Sequence, residues 1–161
     1  MRLKALGLLA ALAMLAACET PGPERAATTT TTATPPPAAA APRQASLQEQ
    51  LVQIGDRIFF DFNKSDLKPE ARRQIERWVQ FMKQNPNATF TAEGHADERG
   101  TREFNLALGE RRANAAKNYI VSLGIEARRV ATISYGKERP AVLGSNEAAW
   151  SQNRRDVLVV N

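Results

Sequence analysis

Two charged residues, Asp97 and Arg112, stand where a charge is difficult to bury, and together they could grip a small zwitterion. Arg112 belongs to a long helical stretch from Glu103 to Leu123. At about 100° per residue it shares a stripe with Leu108, Ala115, Tyr119 and Leu123, whereas Arg111 points to the side. Such a stripe must face a core, and a guanidinium placed there has to be paired and hydrogen-bonded. An anionic group is therefore expected near the beginning of this helix. Asp97 is the candidate. It lies in the loop Gly94-His95-Ala96-Asp97-Glu98-Arg99-Gly100-Thr101, whose glycines allow tight turns and close backbone approach. A carboxylate beside a guanidinium in a loop-walled recess can receive an ammonium and clamp a carboxylate bidentately. The same pair could instead satisfy itself as a structural salt bridge, and the residue types leave both readings open.

Alternating strands and helices have to bring these residues together. Ile58, Phe60 and Phe62 alternate along a first strand, Arg57–Phe62. Pro69 suits the first position of a helix on which Ala71, Ile75, Trp78, Val79 and Met82 recur at helical spacing, with Trp78 in the core; Asn85-Pro86 ends it. A second strand, Thr89–His95, puts Phe90, Ala92 and Gly94 on one face. The long helix follows and stops at Gly124. Val130–Tyr135 and Asp156–Val160 read as further strands, with a short helix around Glu147–Ser151 against which Trp150 is expected to pack. The order β-α-β-α-β-β predicts an α/β (α+β) two-layer sandwich, with helices on one face of a mixed four-stranded sheet.

Composition removes several functional classes. One cysteine, Cys18, and one histidine, His95, are too few soft ligands for a zinc site and give no intrachain disulfide. No metal or other cofactor is expected, and His95 reads as a structural hydrogen-bonder. Asp61-x-Asn63-x-Ser65 is superficially like a calcium loop, but Asp66 replaces the required glycine and Arg72 the closing glutamate. The net charge of +5 falls to +3 without Arg2 and Lys4, and the cations alternate with acids, as in Arg72-Arg73-Gln74-Ile75-Glu76-Arg77. That argues against nucleic acid as a partner.

The amino terminus reads as an address. Arg2 and Lys4 precede an apolar run of 13 residues, Ala5–Ala17, too short for a lasting bilayer span of about 20. Leu15-Ala16-Ala17-Cys18 resembles the bacterial lipobox. This implies a signal peptide over residues 1–17 and lipidation of Cys18, since several acyl chains together make a stable anchor. Glu19, in place of an aspartate, points to the outer membrane. Residues 18–46 hold the lipidated cysteine and an Ala/Thr/Pro tether with too little apolar surface to order itself. At about 3.1 Å per residue it could reach several tens of ångströms. Residues 47–161 form the folded domain.

Several stretches carry a family resemblance. They are Gly94–Gly100, Asn105, the run Leu108-Gly109-Glu110-Arg111-Arg112-Ala113-Asn114, and Asn153-Arg154-Arg155. Together they resemble the OmpA-like peptidoglycan-binding domain. Phe60-Asp61-Phe62-Asn63-Lys64-Ser65 and Ser134–Ala141 narrow the likeness to wall-associated lipoproteins of that family, and it covers nearly all of residues 56–161. The resemblance implies a domain that binds, without catalysis, the meso-diaminopimelate side chain of the peptidoglycan stem peptide. That side chain ends in an amine and a carboxylate on one carbon. Asp97 and Arg112 match the positions that hold it in the family. Phe60 and Asp61 lie in a loop the family uses for contacts, although the alternation of Phe60 with Ile58 fits a core role equally. Asn105 would brace the binding loop, while Asn153 and Arg154 would flank the ligand. The resemblance further implies partners, TolB and possibly TolA of the Tol–Pal envelope system, and a part in outer-membrane constriction at division.

A rival reading makes Glu93 and Asp97 the carboxylate pair of a wall-cleaving enzyme. Basic neighbours would keep both acids ionised and deprive such an enzyme of its general acid.

Overall fold

The computed structural model describes residues 46–161. The leader, Cys18 and nearly all of the tether lie outside the described residues. The domain begins with a helix the periodicity reading did not include. In α1, Leu47–Ile54, the Ser46 hydroxyl accepts from the Glu49 amide while the Glu49 carboxylate accepts from the Ser46 amide. That reciprocal cap satisfies two donors the first turn would otherwise leave open. Leu51 anchors the helix in the core, and Gly55, at φ 93°, turns the chain out of it.

Strand β1, Arg57–Phe59, is shorter than its alternation suggests. The Phe60 amide still donates to the Arg154 carbonyl, and the chain then turns through Asn63 at φ 55°. Ile58 and Phe60 are buried as expected, but Phe62 is 55% exposed, so the alternation ends before it. Helix α2, Pro69–Gln84, buries Ile75, Trp78, Val79 and Met82, and the Trp78 indole donates to the Gly55 carbonyl at 2.6 Å. Strand β2 is Phe90–His95, α3 is Arg102–Ser122, β3 is Val130–Gly136, α4 is Glu147–Asn153 and β4 is Arg155–Val160.

The sheet order is β1-β4-β2-β3, with β2 parallel to β3 and antiparallel to β4, and β1 antiparallel to β4. It is mixed because α3 carries the chain from β2 to a parallel neighbour, whereas β4 returns between β1 and β2. Helices α2 and α3 pack against one face, toward which Ile58, Phe90, Ala92 and Leu158 point. Phe59 and Ile133 remain exposed on the other. This is the two-layer α/β architecture expected from the sequence.

The buried stripe of α3 differs from the expected one. It runs through Asn105, Leu108, Gly109, Arg112, Ala113, Ala116 and Ile120, leaving Ala115, Tyr119 and Leu123 half-buried at its border. Close packing explains the shift. A Cβ on Gly94 would run into the Gly109 carbonyl, and one on Gly109 into the Ser134 hydroxyl. Helix and sheet therefore meet backbone to backbone, and small residues form the seam. That seam sets how deeply Arg112 is carried into the fold.

Candidate functional site

Beyond the end of β2 the chain forms a loop that Asn105 ties to α3, donating to the carbonyls of Arg99 and Thr101 at 3.0 and 3.1 Å. Thr101 caps the helix by accepting from the Phe104 amide. Between this loop, α3 and the segment after β1 lies a recess of about 170 Å³. Asp97, Arg99, Asn105, Arg112 and Arg154 line it, together with the exposed Phe62 and Phe104.

Arg112 is fully buried, and what meets it is not the anion expected. Its Nε donates to the Lys64 carbonyl at 2.8 Å, Nη1 to His95 at 2.7 Å and Nη2 to Asp61 at 3.1 Å. The guanidinium also lies 4.9 Å above the Phe60 ring. Carbonyl dipoles from two chain segments thus replace a carboxylate. Burial pushes its pKa down to about 10, while Asp156 and Asp97 pull it back by charge, so it stays cationic at neutral pH.

Nor do Asp97 and Arg112 form a salt bridge. Asp97 pairs with Arg99, Oδ2 to Nη2 at 2.6 Å, and with Arg154, Oδ2 to Nη1 at 3.5 Å. Burial alone would raise the Asp97 carboxyl. Bonds from the Arg99 side chain and amide, and from Arg154, instead hold it below the ordinary carboxylate range. Arg154 is itself fixed by the Phe60 carbonyl at 3.1 Å and Glu147 at 2.5 Å. The recess therefore holds three guanidiniums against Asp97 within it and Glu147 beside it. That excess of cations favours a carboxylate, and Asp97 offers a place for an ammonium.

Asp97, Arg112, Asn105 and Arg154 are brought together. The Phe60 and Asp61 side chains do not line the recess with them. Phe60 is 2% exposed and sits in the core beneath Arg112, and the Asp61 carboxylate is exposed and paired with Lys68 at 2.8 Å. What this loop contributes to the recess is Phe62 and Asn63. Asn153 faces another way, accepting from the Ala141 and Val142 amides to hold the loop after β3.

Two participants escape sequence reasoning. Arg99 lies between the rings of Phe62 and Trp150, with its guanidinium carbon 3.9 and 4.0 Å from their centroids. Trp150 thus reaches out to the recess loop, where its indole also donates to Glu98 at 3.0 Å, rather than serving only to pack its own helix. Beneath the site, Asp156 is fully buried and neither carboxylate oxygen has a hydrogen-bond partner. Burial pushes its pKa well above the usual carboxylate range despite Arg112 and Arg155.

His95 contributes its carbonyl to Arg112, and its ring hydrogen-bonds the Arg139 backbone while Nδ1 is buried without a partner. Burial first, then the charge of Arg155, pushes its pKa down to about 4. The folded state therefore binds fewer protons than the unfolded chain between that value and the ordinary 6.5. Stability on this account is present above about pH 6.5 and is lost as the pH falls toward 4, by roughly 3 kcal/mol. Urea melts of wild type and His95→Asn across that range should show a flatter acid limb for the variant; parallel curves would contradict it.

Among the described residues no cluster of three metal-ligating side chains occurs, and no helix is long and apolar enough to cross a membrane.

A mixed α/β sandwich with a charged recess at the carboxyl end of β2 is the architecture to be compared with known domains. The chain belongs to the OmpA family, whose model matches residues 59–154. Within that family it is similar to the peptidoglycan-associated lipoprotein of Agrobacterium fabrum. Identity is 49% over 115 residues, covering 71% of this chain and 65% of the relative. It is also similar to that of Brucella melitensis, at 47% over 116 residues, covering 72% and 69%. The chain thus spans about two thirds of the length of these relatives. The crystal structure of the peptidoglycan-associated lipoprotein from Burkholderia pseudomallei superimposes with a TM-score of 0.64 at 37% identity, covering 66% of this chain and 90% of that one.

Proposed function

We propose that this chain is a lipid-anchored envelope protein whose folded domain holds peptidoglycan without covalent chemistry. The ligand end it grips is the free ammonium and carboxylate of meso-diaminopimelate in the stem peptide. One observation carries the reading: Asp97 and three guanidiniums converge on a single recess, a charge set that suits a zwitterion with its carboxylate among cations. The family, and relatives named for association with peptidoglycan, support it.

In this proposal residues 1–17 direct export, Cys18 carries the lipid in the outer membrane, and residues 18–46 span the gap to the wall. TolB, with TolA, is the proposed protein partner, which would make the tether part of the machinery that draws the outer membrane inward at division. The described geometry lends no support to a wall-cleaving pair. Glu93 lies on the open face of the sheet beside Tyr135 and His95, and Asp97 is pinned as a carboxylate.

Co-sedimentation with purified sacculi tests the proposal. Wild-type protein should pellet with the wall, leave its turbidity unchanged and be released by excess free meso-diaminopimelate. Asp97→Asn preserves the shape of the side chain but removes its charge. It should bind about ten- to a hundredfold more weakly, the worth of one charge-assisted bond. Unchanged binding by Asp97→Asn would reject the site, and clearing of the suspension would favour an enzyme.

A further inference from the structure

We propose that strand β1 and the groove beside it take an extended, acidic segment of another protein, which adds to the sheet as a further strand next to β1. The groove shares no lining residue with the recess, so the inference does not depend on the wall-binding proposal.

Strand β1 ends the sheet order, and its pairing with β4 engages only every second residue. The Asp56 carbonyl accepts from the Leu158 amide, and the Phe60 amide donates to the Arg154 carbonyl. Asp56, Ile58 and Phe60 therefore turn their backbone groups toward β4, and Arg57 and Phe59 turn theirs outward. Neither the amides nor the carbonyls of these two residues have a partner among the described residues. Their donors and acceptors stand at ladder spacing along an open edge.

Beside that edge, between β1 and α2, lies a groove of about 390 Å³. Phe59, 38% exposed, stands at it. Arg57, Lys68 and Arg77 line it against a single acid, Glu70, which already faces Arg73 at 3.6 Å. Arg57 is tied to Asp56 and Lys68 to the exposed Asp61, while Arg77 bonds only the Gln74 side-chain oxygen. This balance calls for carboxylates on the incoming strand.

The same balance decides among occupants. A second copy adding β1 to β1 would set the basic groove against its twin, and like charges across a strand pair are destabilising. The tether, residues 18–46, carries two glutamates and two arginines, and its prolines lack the N–H that a ladder needs. A short, basic edge resists indiscriminate pairing and admits an acidic strand. In strand addition of this kind, main-chain bonds supply affinity and side chains supply choice.

Amide hydrogen exchange in the full chain, held in detergent, tests the proposal. The probe is a peptide of alternating valine and glutamate, and the control is its valine–lysine counterpart. Without peptide, the Arg57 and Phe59 amides should exchange freely while that of Ile58 is protected. The acidic peptide at saturation should slow both open amides by about tenfold, an effect that high salt weakens. The basic peptide should leave them unchanged. Phe59→Pro removes one outward N–H and spares the bonds to β4, since an edge strand tolerates proline. It should weaken the acidic peptide by about fivefold, the worth of one backbone bond. Arg77→Glu, which alters no strand backbone, should weaken it by a similar factor. Absent protection, equal protection by the basic peptide, or unchanged binding by either folded variant overturns the proposal. So does protection of both amides before any peptide is added. If that protection grows with protein concentration the edge belongs to a second copy, and if it does not, to the chain's own tether.

Discussion

Arg112→Ala should lower the stability of the folded domain by about 3–5 kcal/mol, because three carbonyls lose a charged donor at roughly 1–3 kcal/mol each. The side chain is fully buried and bonds the carbonyls of Asp61, Lys64 and His95, so it pins the segment after β1 to the end of β2. Truncation leaves those three acceptors without the donors that now satisfy them, and removes the cation over the Phe60 ring. It also removes a positive charge that acts on Asp156, the carboxyl buried below without a hydrogen-bond partner. Arg112→Lys should recover only part of the loss, because one ammonium cannot replace a planar fork aimed at three oxygens. Urea unfolding measures the effect. A shift below about 1 kcal/mol would mean the three carbonyls find other partners and the strut is dispensable. The consequence for function is direct. Loss of wall binding in Arg112→Ala would report folding as much as recognition, whereas Asp97→Asn reports recognition.

How much of this was legible in the sequence depends on the range of each signal. Strands β2, β3 and β4, helices α2 and α3, and the mixed two-layer arrangement follow from local periodicity and chain order, and the structure has them. Helix α1 was legible as well. Ser46 and Glu49 form a capping box at the start of a helix that carries Leu47, Leu51 and Ile54, but the segment is short and adjoins a proline-rich tether, which masks the signal. The buried face of α3 is not legible from apolar bulk alone, because close backbone approach rather than hydrophobicity selects it. Where Gly94 and Gly109 touch, the seam selects the smallest residues, and Tyr119 and Leu123 are displaced to its edge.

The site shows the same division. That Arg112 shares the buried face of its helix follows from 3.6-residue geometry, and the glycine-flanked loop marks where Asp97 lies. What meets each of them does not follow. Two of the three carbonyls on Arg112 come from the segment after β1, whose start the Ile58, Phe60, Phe62 alternation reads as continuing strand. The stack on Arg99 joins Phe62 and Trp150, residues remote from it and from each other in the chain. Only the folded sheet, which sets β1 beside β4, puts them on either side of one guanidinium.

The second large effect concerns the wall itself. A stem peptide with meso-diaminopimelate ends its third side chain in an ammonium and a carboxylate, whereas one with lysine at that position ends in an ammonium alone. The recess holds more guanidiniums than carboxylates, so the proposed recognition calls for a ligand that supplies negative charge as well as positive. A lone ammonium would meet Asp97 already neutralised by Arg99 and Arg154 and would gain little from displacing them. Parallel co-sedimentation of wild-type protein with diaminopimelate-type and lysine-type walls therefore tests recognition of the zwitterion most directly. Binding to the first, and binding at least about tenfold weaker to the second, is the expected result. Equal binding to both walls would contradict it.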